Sequence, residues 1–318
     1  MLMVKKFGGT SVADKDRIFN VANRCAEDYK KGNKIVLVLS AMGKFTDDLI
    51  SLANQIYSDK SKREMDMLYT VGEQISVSLM AMAFESLGIP AISLNAFQVG
   101  IYTDSNYGDA KITHIETNKI EKELTENKIV IVTGFQGVDK NNNYTTLGRG
   151  GSDTTAVALA AALNADSCEI YTDVDGVYSA DPRIVKNAVK LDNVSYDEML
   201  EFSNHGAGVL HNKCVKIAKD NDIKLVVRSS MSNEEGTVIT KNSNVHGFTK
   251  ITGVTSCDNV VTIIGTNIDD NTMDKVTEAL NENHFNYDNL NYNNMEICMA
   301  VQSNEINSCV NCMHNLFF

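Results

Sequence analysis

The sequence has no tryptophan, only two prolines, and no uninterrupted apolar run near the ~18 residues a membrane span needs. A membrane-spanning role is therefore not expected, and twenty glycines against two prolines point to tight turns rather than extended linkers. Positive charge is also in deficit: 29 Lys and Arg face 41 Asp and Glu, a net −12 at pH 7. Such a chain repels phosphate backbones and anionic lipid, which argues against nucleic-acid and membrane partners. The N-terminus, Met-Leu-Met-Val-Lys-Lys, lacks the apolar stretch of a signal peptide. Seven cysteines, an odd number scattered along the chain, then read as reduced thiols, and the expected location is cytoplasmic. What is present is ordinary for a globular protein: 43% hydrophobic residues in 318, enough for a sizeable core and two domains.

Short apolar runs at 35–39, 129–133, 168–171 and 223–227 predict buried strands. Between them, 14–29, 63–87, 152–163 and 195–204 have helical spacing or helix-forming composition. Strands alternating with helices require crossover connections, hence a mostly parallel α/β sheet covered on both faces. The stretch 138–146, with Asn141, Asn142 and Asn143 at its tip, reads as an inserted hairpin. A polar stretch at 241–247 reads as a linker between a first domain, 1–240, and a second, 248–318. The second pattern is strand 260–264, helix 272–283, strands 285–290 and 296–301, and a helix from Asn304. That order, βαββα, is ferredoxin-like, and such units often bind effectors or pair with copies of themselves.

The run Lys-Phe-Gly-Gly-Thr-Ser at 6–11 follows a very short apolar start and leads into a helix. Gly8 and Gly9 let backbone N–H groups approach an anion, and Lys6 adds a point charge. The spacing fits neither a P-loop nor a dinucleotide fingerprint, so a plain strand-to-helix turn that needs glycine stays open. A stronger signal is Leu-Gly-Arg-Gly-Gly-Ser-Asp-Thr-Thr at 147–155, just before an Ala-rich helix. Free N–H groups and the dipole at that helix start favour an anion, and Arg149 can grip a carboxylate through two hydrogen bonds. The alternative is an ordinary helix capped at Ser152 with a solvated arginine. Residues 171–183 leave a strand and turn at Asp175 and Gly176, where carboxylates suit a ribose or a magnesium–phosphate group, or form an Asx turn. Glu73 interrupts a helix with apolar flanks, and helical spacing favours a surface charge over a ligand for an ammonium group. Cys309, Cys312 and His314 resemble half a zinc site without a second pair, so no protein-held metal is expected.

Five motifs stand in order: Lys-Phe-Gly-Gly-Thr-Ser-Val at 6–12, Ser-Ala-Met-Gly at 40–43, Thr-Val-Gly-Glu at 70–73, Gly-Arg-Gly-Gly-Ser-Asp at 148–153 and Tyr-Thr-Asp-Val-Asp-Gly-Val-Tyr at 171–178. With them the chain closely resembles the aspartate kinases of the amino-acid kinase family, over essentially its whole length. The resemblance implies the amino-acid kinase fold followed by an ACT-type regulatory unit. It implies phosphorylation of the β-carboxylate of L-aspartate by ATP with Mg2+, the first step toward lysine, threonine and methionine. Carried over, Lys6 holds the transferring phosphoryl group and Asp153 orients the site. Gly8, Gly9 and Thr10 line the phosphate turn, with Ser40 nearby. Thr46, Glu73, Arg149, Gly150, Gly151 and Ser152 make the aspartate side, Glu73 taking the ammonium and Arg149 a carboxylate. Thr172, Asp173, Tyr178 and Arg183 make the nucleotide side. An amino-acid effector, lysine or threonine, and a homodimer or higher assembly through the ACT unit are also implied.

The chain departs from the family twice. Glycine 208 in Gly-Ala-Gly-Val-Leu at 206–210 stands where members carry a lysine that reaches the nucleotide, and Lys213 is the candidate replacement. The tail resembles one ACT unit where members have two. A weakly active regulatory subunit and another amino-acid kinase are the competing readings, although Glu73 beside Arg149 favours an α-amino-acid acceptor. A carboxylate acceptor has a pKa near ~4 and is already ionised at pH 7, so the lack of a catalytic histidine fits.

Overall fold

Every residue of the run Ile-Val-Leu-Val-Leu at 35–39 is fully buried, as a strand covered on both faces must be. In the computed structural model, which describes residues 1–242 and 251–318, that run ends the strand Lys34–Leu39. It lies among six parallel strands in the spatial order Leu225–Ser229, Ser167–Thr172, Leu2–Phe7, Lys34–Leu39, Ile129–Thr133 and Ala91–Leu94. On one face, Ile35, Leu37 and Leu39 pack with Ile18, Val21 and Cys25 of helix Lys15–Lys30 and with Val77, Met80 and Phe84 of helix Lys62–Ser86. On the other, helix Gly151–Ala162 packs against the strands, and its small side chains are buried almost all round. The parallel α/β sandwich expected from the sequence is thus the one observed.

The expected hairpin is present as Gln136–Val138 and Tyr144–Thr146. It belongs to a small sheet with Ile101–Thr103 and Ile112–Ile115. Helix Phe45–Ile56 was not read from the sequence; it buries none of its residues, so no core stripe marks it. Helix Lys62–Ser86 has the length and mean hydropathy to cross a membrane, but half of that apolar window is buried inside the protein, with Asp66 and Glu73 among its buried residues.

The chain divides into two compact units, Met1–Asp175 with Asp220–Glu235, and Gly176–Lys219 with Gly236–Phe318. The second unit contains the parallel pair Asn193–Ser195 and Thr237–Thr240. Its antiparallel sheet runs Ile251–Cys257, Val260–Gly265, Glu296–Val301, Tyr287–Tyr292. Helices Asp270–Glu282 and Ile306–Phe317 supply Val276, Leu280 and Met313 to the core against Val261, Ile263 and Met299. The order is ββαββα, one strand more than the sequence pattern suggested. Thr252, Gly253 and Thr255 blur the apolar pattern of that extra strand.

This division differs from a boundary at 241–247, of which 243–247 lie outside the described residues. Segment 176–219 is built into the second unit. Thr252 donates to the carboxylate of Glu198. Ser179 Oγ lies 2.8 Å from His314 Nε2. A Cβ on Gly253 would stand 2.5 Å from the Ser179 carbonyl oxygen. Polar composition signals where a chain is solvated; these contacts between distant residues decide what is compact. The half zinc site dissolves here as well, because Cys309 sits in the core against Met299 and His314 pairs with Ser179.

Candidate active site

In open α/β sheets the carboxyl ends of parallel strands are where ligands bind. At those ends in the first unit lies a cavity of about 350 Å³ lined by Lys6, Ser40, Thr46, Glu73, Arg149 and Asp153, with backbone from Gly9, Gly43, Gly150, Gly151 and Ser152. Strands Leu2–Phe7 and Lys34–Leu39 deliver the first two turns. The Gly43 N–H donates to the Gly9 carbonyl at 3.0 Å, which latches one turn onto the other. A Cβ on Gly9 would stand 2.6 Å from the Ala41 carbonyl oxygen, so only glycine permits this approach.

Lys6 points across the cavity, its Nζ 2.7 Å from Asp153 Oδ1 in the first turn of helix Gly151–Ala162. The helix begins two residues earlier than a cap at Ser152 would place it. Its N-cap is Gly150, left-handed at φ +70° and without a side chain to occupy the terminal N–H groups. A helix start without a side-chain cap beside a lysine fits a phosphoryl group or other anion.

Arg149 is exposed, between Gly148 and Gly150, both of which have positive φ. Its loop is anchored by a residue the sequence did not flag. Asp66, fully buried on helix Lys62–Ser86, accepts from Thr146 Oγ1 at 2.7 Å and from the N–H groups of Thr146 and Gly108 at 2.9 Å each. Burial pushes the Asp66 carboxyl above its ordinary pKa even against these hydrogen bonds. In a one-dimensional reading Asp66 looks like an exposed helix charge.

Two turns further along the same helix, Glu73 is only 3% exposed. The Ala41 N–H donates to its Oε1 at 3.1 Å, while Oε2 is buried without a hydrogen-bond partner. Burial pushes the Glu73 carboxyl up to about 7. The surface-charge reading of Glu73 is therefore overturned. Gly72 is the reason: a Cβ there would stand 2.6 Å from that of Ala41, so glycine lets the helix close on the turn and bury its neighbour. Phe135, also missed, forms part of the cavity wall at φ +71°, a strained conformation for a bulky residue.

The remaining expected residues stand apart from this lining. Gly8 is adjacent to the Lys6 amine, a Cβ there falling 3.6 Å from Nζ. Thr10 is exposed and its carbonyl accepts from Arg17. Thr172 donates to Asp173 at 3.0 Å at the end of strand Ser167–Thr172. Tyr178, Arg183 and Lys213 belong to the second unit, where Arg183 pairs with Asp181 at 2.6 Å and Lys213 lies in the first turn of helix Asn212–Asp220.

The amino acid kinase family model matches residues 1–229. The aspartokinase of Bacillus sp. (strain MGA3) is 53% identical over 289 residues, 90% of this chain and 70% of that protein. The chain belongs to the aspartokinases of the amino acid kinase family. Membership makes it a kinase, with a nucleotide as phosphoryl donor. Two solved structures agree. Aspartate kinase from Synechocystis superposes with a TM-score of 0.70 at 38% identity, covering 97% of this aspartokinase and 54% of its own chain. E. coli aspartokinase III, solved with aspartate and ADP, gives 0.84 over the full length of both at 22% identity and supports the fold alone.

Proposed function

We propose that this aspartokinase transfers the γ-phosphoryl group of MgATP to the β-carboxylate of L-aspartate, giving 4-phospho-L-aspartate and ADP. The observation that carries the reading is the pairing, in one cavity, of the buried Glu73 carboxylate with its unpartnered Oε2 and the exposed Arg149 guanidinium. An α-amino acid presents the two complementary charges. Glu73 takes the ammonium, Arg149 a carboxylate, and Thr46 and the turn Gly150, Gly151 and Ser152 complete the acceptor side. An oxygen of the β-carboxylate attacks the γ-phosphorus, and the bond to the β–γ bridging oxygen breaks with its electron pair leaving on ADP. No proton moves, so no general base is required. Lys6 neutralises charge on the phosphoryl oxygens, Asp153 holds the Lys6 amine in position, and Gly8, Gly9, Thr10 and Ser40 form the phosphate turn. Magnesium bound through the nucleotide supplies further neutralisation, and Asp153 is the cavity carboxylate that would face it. Thr172 and Asp173, at the end of strand Ser167–Thr172, serve the nucleotide side. The C-terminal ββαββα unit acts as an ACT-type module for lysine or threonine and as the surface of a homodimer.

The test is ADP release with L-aspartate against glutamate, carbamate and UMP, with hydroxylamine trapping the acyl phosphate as a hydroxamate. Turnover and trapping with aspartate alone support the reading; turnover with another acceptor, or none, overturns it. Arg149→Ala is expected to lower kcat/KM for aspartate by roughly 30- to 1,000-fold, the loss of a contact between charged groups of about 2–4 kcal/mol.

A further inference from the structure

Four groups that bind metals well meet in the second unit, away from every residue assigned above. His205 caps the C-terminal end of helix Tyr196–Asn204, and its Nε2 lies 2.6 Å from Glu296 Oε2 and 3.6 Å from Glu201 Oε2. The ligand atoms of His205, Glu296 and Cys298 all fall within 4.8 Å of one another, and all three residues are partly buried. Among the described residues no lysine or arginine pairs with Glu201 or Glu296. The cluster therefore holds two carboxylates and a thiol against one imidazole, a concentration of lone pairs that calls for a cation.

We propose that Glu201, His205, Glu296 and Cys298 form a binding site for a thiophilic divalent cation of the Zn2+ class. Three observations carry it. The donor set of one imidazole, one thiolate and carboxylate oxygens suits zinc, whereas magnesium and calcium take oxygen ligands. Glu296 is oriented from both sides: its buried Oε2 lies 2.6 Å from His205 Nε2, and Asn293 donates to Oε1 of the same carboxylate at 3.0 Å. The ligands also sit on fixed elements: Glu296 and Cys298 are alternate residues on one face of strand Glu296–Val301. Glu201 and His205 are one turn apart on the helix, and Thr255 Oγ1 donates to the His205 carbonyl at 3.2 Å. Binding displaces the Cys298 proton, and any proton on His205, into solvent, leaving thiolate and neutral imidazole as ligands. Burial first, and then the like charge of Glu296, hold the Glu201 carboxyl above its ordinary pKa, and the like-charge contact is relieved at the same time.

The experiment uses the full chain, stripped with chelator, titrated with Zn2+ and separately with Co2+. One tight equivalent of Zn2+ is expected, with a thiolate-to-Co2+ charge-transfer band and proton release into weak buffer. Cys298→Ser, nearly isosteric, is expected to abolish the band. His205→Gln is expected to weaken Zn2+ by at least the 10- to 100-fold that even a lost outer-shell partner costs. Circular dichroism of both variants separates ligand loss from unfolding, and Cys257→Ser, which alters an exposed thiol, is expected to bind as the parent does. No tight equivalent in the parent, a band that persists in Cys298→Ser, or binding lost equally in Cys257→Ser overturns the proposal. Then the His205–Glu296 contact is a shared proton only.

Discussion

Two neighbouring lysines on strand Leu2–Phe7 show how one strand divides structural from chemical work. Alternation sends Lys5 and Lys6 to opposite faces of the sheet. Lys5 is fully buried, 2.5 Å from Asp28 and 3.1 Å from Glu169, over a layer where Phe7 stacks on Tyr171 at 4.3 Å. Burial alone would lower its pKa, but Glu169, Tyr171 and the Asp28 hydrogen bond outweigh that and hold it above the ordinary lysine value. Lys6 is partly accessible, and among the described residues its only ion pair is with Asp153 in the cavity. The difference teaches that charge alone does not mark a functional lysine. A saturated, dry ion pair is part of the scaffold, whereas a single partner beside glycine turns leaves an amine free to take another anion.

The comparison breaks most visibly in stability. Lys5→Ala strands two carboxylates against the core and is expected to cost about 3–5 kcal/mol, read as a lower urea midpoint. Activity per folded molecule should be largely preserved; a stable but inactive Lys5→Ala would erase the distinction. Lys6→Ala is the mirror experiment. Its kcat should fall about 100- to 1,000-fold with a much smaller change in ATP affinity and in unfolding midpoint, since the amine meets charge that develops in transfer. Equal losses in kcat and ATP binding would make Lys6 a binding residue only.

A smaller effect sharpens the same contrast on the acid side. Glu73 must be ionised to hold an ammonium group, and its carboxyl lies up at about 7. KM for aspartate should therefore rise about tenfold for each pH unit below 7 and level off above it. Glu73→Gln should raise KM and flatten the profile; an unchanged profile would remove Glu73 from the acceptor site. The same shift acts on folding with a definite sign. A carboxyl raised from 4.5 to about 7 favours the protonated native state, so that contribution is present below 4.5 and lost as pH rises through 7. The smallest effect concerns Gly208, where a Cβ would meet nothing within 4 Å. Gly208→Lys should leave the unfolding midpoint nearly unchanged, and Lys213→Ala should weaken ATP about tenfold if Lys213 substitutes for the missing cation. Tighter ATP in Gly208→Lys with no loss in Lys213→Ala would show that nothing replaces it.

Much of this was legible in the order of residues. The buried strands at 35–39 and 129–133, the glycine turn after Lys6 and the loop around Arg149 are local features, set by apolar runs and by the backbone freedom of glycine. Their order along the chain also carried the family. What the order of residues left open concerns burial by distant partners. Glu73 and Asp66 are spelled like surface acids on a helix, and only the approach of Ala41, Thr146 and Gly108 makes one a dry carboxylate in a cavity and the other a loop anchor. Likewise, Lys5 and Lys6 are identical in type and adjacent, and the sheet decides which meets Asp28 and Glu169 and which meets Asp153. Segment 176–219 joins the second unit because Thr252, Gly253 and His314 reach it across long stretches of chain. Desolvation and pairing depend on side chains far apart in sequence, and no local pattern encodes them.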